Sequence, residues 1–102
     1  MEAAYYYESK SKADVEKLLE EEFFKRLGPL DREARLLGSK RTSGFYFYVK
    51  AAAADKFAEA VKLIAESGIP FEKLSGDEET MVFEAIHKEE DEAAEGMGAI
   101  FG

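Results

Sequence analysis

The chain has 102 residues, 46% apolar and 35% charged, which is enough for one modest core and too little for two. Cysteine is absent, which excludes disulfides, thiolate metal sites and cysteine nucleophiles and reads as a reducing cytoplasm; no apolar run approaches the roughly 20 residues of a membrane span, and Met1–Tyr7 is not a secretory signal. The net charge of −8 is uneven, with ten Lys/Arg against nine Asp/Glu in residues 1–50 and four against thirteen in residues 51–102, so the two halves are expected to face different partners.

Ala3 to Glu8 is a short aromatic run and reads as a strand. Ser11 begins a capping box with Asp14, and Val15, Leu18, Leu19, Phe23 and Leu27 then recur at helical spacing. Gly28 and Pro29 stop this helix. Residues 30–41 are ambiguous: residues 30–37 could open a short helix, whereas Ala34 to Arg41 could be a polar strand. Phe45 to Lys50 is the clearest strand, preceded by the turn chemistry of Thr42-Ser43-Gly44, and a strong strand needs a neighbour. The favoured reading is therefore a hairpin of 34–41 with 44–50. Ala52 to Ser67 is a helix with Phe57, Val61, Ile64 and Ala65 inward, stopped by Gly68. Thr80 to His87 is expected to be the last strand, and from Glu89 the sequence is acidic and low in complexity.

This order predicts an α+β fold of the ferredoxin-like βαββαβ type. Its four-stranded antiparallel sheet would carry two helices on one face, its first and third strands would be central, and an acidic C-terminal tail would follow. The domain is expected over residues 1–87 and the tail over 88–102.

No catalytic signature is visible. The single histidine, His87, lacks a second histidine or a cysteine to work with. Asp77-Glu78-Glu79 and Glu89-Glu90-Asp91-Glu92 lack the spacing of a calcium loop, and the glycines sit singly at element ends and form no phosphate cradle. No enzyme, metal site or cofactor is expected.

Tyr5, Tyr7, Tyr46 and Tyr48 fall on the two strands expected at the centre, with Arg35, Lys40 and Arg41 among the nearby cations. With helices on one face only, the other face would present tyrosines in a basic setting, suited to stacking single-stranded bases or to pairing with a second copy. Ser43-Gly44-Phe45-Tyr46-Phe47-Tyr48 resembles the third strand of an RNA-recognition motif in its glycine and two aromatics. It differs in having Ser43 for the basic residue and Tyr46 for the small one. Phe45, Phe47 and Val49 should face the helices, leaving Tyr46 and Tyr48 outside.

Residues 88–95 hold one positive and five negative charges, and the last seven residues are only apolar residues and glycine. Met97, Ile100 and Phe101 stand at i, i+3 and i+4, so one helical turn would put them on one side, as in short helical anchors that fill an apolar groove. Gly96-Met97-Gly98-Ala99-Ile100-Phe101-Gly102 resembles the C-terminus of archaeal acidic ribosomal stalk proteins, an acidic Glu/Ala-rich linker followed by Gly-Leu/Met-x-Ala-Leu-Phe-Gly. The resemblance implies an archaeal source, binding of translational GTPase factors through Met97, Ile100 and Phe101, and association with the ribosome or its rRNA. The preceding residues depart from that family, which carries a helical dimerisation module or a larger rRNA-binding domain on a long hinge. The expectation is a non-enzymatic translation-associated protein. The alternatives are a dimeric ligand-sensing or scaffold domain, or an RNA-binding domain using the aromatic sheet face.

Overall fold

The computed structural model describes the backbone of residues 1–101 and the side chains of residues 1–93. Its centre is a pair of aromatic strands. β1 (Glu2–Tyr7) runs antiparallel to β3 (Phe45–Lys50), in a register from Glu2 opposite Lys50 to Tyr7 opposite Phe45. β2 (Leu30–Glu33) joins the free side of β3, and β4 (Glu72–Lys73) the free side of β1, both antiparallel. The order β2-β3-β1-β4 leaves the first and third strands central, as their aromatic content predicts.

Side chains alternate across a strand, so this register sorts the central residues into two sets. Ala3, Tyr5, Tyr7, Phe47 and Val49 form one core with Val15, Leu18, Phe24 and Ile64. These last four belong to α1 (Lys12–Leu19), α2 (Glu22–Leu27) and α3 (Ala54–Glu66). Ala4, Tyr46 and Tyr48 form a second core with Ala34, Leu74, Val82 and Ile86. Val82 and Ile86 belong to α4 (Gly76–Phe101), which lies on the opposite face from the other helices.

Helices thus cover both faces, in place of two helices on one face. The residues expected as the last strand, Thr80–His87, are the second and third turns of α4, and the fourth strand is the two-residue β4. Read alone, Thr80–His87 is rich in β-branched and aromatic residues. Its flanks decide otherwise: an acidic first turn at Asp77-Glu78-Glu79 suits a helix N-terminus, and the Glu/Ala-rich run beyond has high helix propensity. α4 also runs through residue 88 without a break, so the expected boundary between domain and tail falls inside a helix.

The helix expected from Ser11 to Leu27 is two helices, broken at Glu20-Glu21, where Glu21 is extended (φ −65°, ψ 140°). At 100° per residue, the buried stripe of Val15 and Leu18 would continue through Glu22 and Lys25 in an unbroken helix, and Phe24 would point away. The break turns Phe24 into the core, where it is fully buried, and leaves the three adjacent carboxylates in solvent. The expected capping box is not made: a 3-10 turn over Ser9–Ser11 leads into α1, and buried Ser11 makes no side-chain cap.

A hairpin with β3 is present, but its strand is Leu30–Glu33 rather than 34–41. Gly28, with φ +71°, caps α2 and delivers the chain directly to the sheet edge. Ala34–Leu37 then forms a 3-10 turn, and the Ala34 N–H closes the hairpin on the Gly44 carbonyl at 3.0 Å. In α3, Ile64 is buried as expected, whereas Ala65 is exposed and Ala60 takes an inward place.

Gly44 combines φ +85° with a position where a Cβ would collide with the Tyr6 ring. Gly44→Ala is therefore expected to cost about 2–4 kcal/mol, from backbone strain and overpacking together. Gly38→Ala, at φ +75° with open space around it, should cost only about 1 kcal/mol. Urea denaturation of the two variants measures the difference.

Candidate functional site

The interface between α4 and the sheet gathers several long-range polar contacts. A buried tyrosine ring brings a hydroxyl that needs an acceptor. Tyr46 donates to Glu78 Oε2 at 2.7 Å, and Tyr48 donates to Glu2 Oε1 at 2.6 Å. Glu78 stands in the first turn of α4 and also receives the Arg41 guanidinium, which donates to Glu78 Oε1 at 3.1 Å and reaches Glu72 as well. The same guanidinium lies 3.7 Å over the Tyr6 ring. His87 Nε2 is 2.8 Å from Glu2 Oε1, and Phe83 meets Tyr48 edge to face. Further along α4, Glu89 pairs with Arg32 at 3.2 Å and Glu90 with Lys50 at 3.7 Å.

These contacts shift ionisation in consistent directions. The hydrogen bonds from Arg41 hold the Glu78 carboxyl below its ordinary range, against the effect of burial. Glu78 in turn keeps the Arg41 guanidinium more firmly protonated. Burial would raise Glu2, but the hydrogen bonds with Tyr48 and His87 outweigh it and keep that carboxyl low. Burial and the bond to Glu2 push the Tyr48 phenol up. On the other face, burial and Asp31 do the same to Tyr7, whose hydroxyl donates to Asp31 Oδ2 at 2.7 Å. Lys12 also donates to this oxygen, while Asp31 Oδ1 is buried without a partner among the described residues.

The structure separates the residues expected to form an aromatic face. Tyr46 and Tyr48, 1% and 3% exposed, lie beneath α4, while Tyr5 and Tyr7, 5% and 0% exposed, lie on the opposite face under α1–α3. The expectation of an open tyrosine face is therefore corrected, because the apolar side of α4 occupies the place a base or a second sheet would take. Arg35 is exposed and pairs with Glu33, Lys40 is exposed in the loop before β3, and Arg41 is drawn onto Glu78. Sequence reasoning placed Arg41 with a polyanion; its actual partners, Glu72 and Glu78, are 31 and 37 residues away, a distance no local pattern spans. Glu2 and Asp31 were missed for the same reason.

The far part of α4 extends past these contacts. Residues 88–93 are exposed, and Glu90 makes the last ion pair to the sheet among the described residues. Residues 91–101 continue the helix for about 16 Å at 1.5 Å per residue. The side chains of Met97, Ile100 and Phe101 lie outside the described residues. Among the described residues, no helix is long and apolar enough to cross a membrane. No family model, curated protein or solved structure matches the chain.

The Glu78 contacts predict a pH dependence. Its folded-state pKa lies below the ordinary carboxylate value, so protonation favours the unfolded chain. The contribution is present above the unfolded-state pKa near 4.5 and is lost as pH falls through the lower folded-state value. Glu78→Gln should lose roughly 1–3 kcal/mol at neutral pH, since Arg41 and Tyr46 give up a charged acceptor. The acid limb of its stability curve should be flatter than that of the unaltered chain, as measured by denaturant midpoints from pH 7 to pH 3.

Proposed function

We propose that the chain is a non-enzymatic, translation-associated adaptor, in which a ferredoxin-like βαββαβ domain carries a C-terminal segment that binds a translational GTPase factor. The central placement of β1 and β3 supports the ferredoxin-like reading of the domain, with α4 as an added layer on the second face. The observation that carries the functional reading is the continuity of α4 from the sheet to Phe101. A helical backbone over this segment suits the i, i+3, i+4 spacing of Met97, Ile100 and Phe101, the anchors of the stalk-like sequence. The exposed acidic residues 89–92 would keep this end in water and steer it toward a basic surface. Exposed Lys40, and Arg35 beside its partner Glu33, would meet rRNA in this reading. Stacking of RNA on Tyr46 and Tyr48 has no part in this reading, since both are covered.

Removal of residues 96–102 should abolish binding to an archaeal elongation factor, measured by calorimetry. Phe101→Ala should weaken it at least about tenfold, because an aromatic anchor buries the most area. Binding should also weaken as salt is raised, as an acidic run steering toward cations requires. Undiminished affinity after the truncation would overturn the proposal.

A further inference from the structure

The break between α1 and α2 has an effect on the surface as well as in the core. Turning Phe24 inward leaves Phe23 and Leu27, one helical turn apart, only partly buried. They line a depression of about 460 Å³ together with Glu22, Arg26 and Lys56. Glu22 is tied to Arg26 at 2.6 Å, and Lys56 forms no ion pair among the described residues. The depression is thus an apolar groove whose rim carries the Glu22–Arg26 pair and the cation of Lys56. The chain also carries a segment of complementary character: beyond the ion-paired Glu89 and Glu90, the sequence holds Asp91, Glu92 and Glu95 and then the hook residues Met97, Ile100 and Phe101.

The placement of the two is equally specific. Leu27 lines a second, adjoining hollow with Lys50, Ala51 and Glu90. The anchored part of α4 therefore ends at the same end of the molecule as the groove. Past Glu90 the helical backbone continues to Phe101. A two-fold axis at this end would bring each hook to the other copy's groove, the self-complementary arrangement of a closed dimer.

We propose that residues 96–101 of one copy dock reciprocally in the Phe23–Leu27 groove of a second copy, with Arg26 and Lys56 facing the acidic run. The proposal uses the same three anchors as the adaptor reading but does not depend on a GTPase partner. In the dimer the hooks are occupied, so a factor and a second copy compete for them.

Sedimentation equilibrium of the full chain should show a concentration-dependent dimer. Phe101→Asp, or Arg26→Glu with Lys56→Glu, should each weaken it by about tenfold or more. A mixture of these two variants should form mixed dimers, since one supplies an intact groove and the other an intact hook. The chain has no native cysteine, so Phe23→Cys with Ile100→Cys, once oxidised, should run as a covalent dimer on a non-reducing gel. A monomer at all concentrations would overturn the proposal, as would a dimer that survives removal of residues 96–102 or a cross-link confined to one chain. Arg26→Glu with Lys56→Glu should keep its affinity for the elongation factor. A full chain that dimerises through its hook yet binds no elongation factor would count against the adaptor reading alone.

Discussion

The structure depends on one constraint, the pairing of β1 with β3. Both strands are apolar or aromatic on both faces: Tyr5, Tyr7, Phe47 and Val49 on one, Ala4, Tyr46 and Tyr48 on the other. A sheet left open on either side would present several aromatic rings to water, at a cost of about 25 cal/mol for each Å² exposed. Two layers of helix are therefore required. The break before α2 and the long α4 are the ways in which the chain supplies them. β4 needs only two residues because its main contribution is to pass the chain across the edge of β1 to the second face.

The tyrosines impose a second requirement, since a buried phenol left without an acceptor costs about 1–3 kcal/mol. Tyr7, Tyr46 and Tyr48 each donate to a carboxylate, Asp31, Glu78 and Glu2 respectively. Each carboxylate also meets a cation or histidine: Lys12, Arg41 and His87. The packing energy of the rings and the geometry of the polar groups thus act together. Val82 and Ile86 bring α4 down onto the sheet, and Glu78, His87, Glu89 and Glu90 set its direction and its position along the strands.

What was legible in the sequence was local. The aromatic strands, the helix stop at Gly28-Pro29 and the helix expected over Ala52–Ser67 and found over Ala54–Glu66 follow from patterns within a few residues. The inward orientation of Phe45, Phe47 and Val49 follows from strand alternation. Thr80–His87 reads as a strand because an eight-residue stretch with Val82, Phe83 and Ile86 fits either period, and its helical flanks decide the matter only when read with it. β2 was placed too late because Ala34–Arg41 looks like a polar edge, whereas pairing begins immediately after the αL glycine. The candidate face suffered most: assigning Tyr46 and Tyr48 to the side away from α1–α3 was correct, but whether that side is open depends on where α4 goes.

The sequence by itself determined the α+β class, the two central strands, the absence of cysteine chemistry, and an acidic segment ending in three regularly spaced apolar residues. These properties belong to short windows, where side-chain alternation, helix propensity and turn chemistry act between near neighbours. Only the tertiary structure decided that both sheet faces are covered, that Arg41 serves Glu78, and that the acidic segment continues a packed helix. It also decided that the broken first helix leaves an apolar groove next to the hollow that Leu27 shares with Glu90 of α4. Each of these outcomes joins residues tens of positions apart, and the energy that selects them, burial and the pairing of buried polar groups, exists only once the chain has closed on itself.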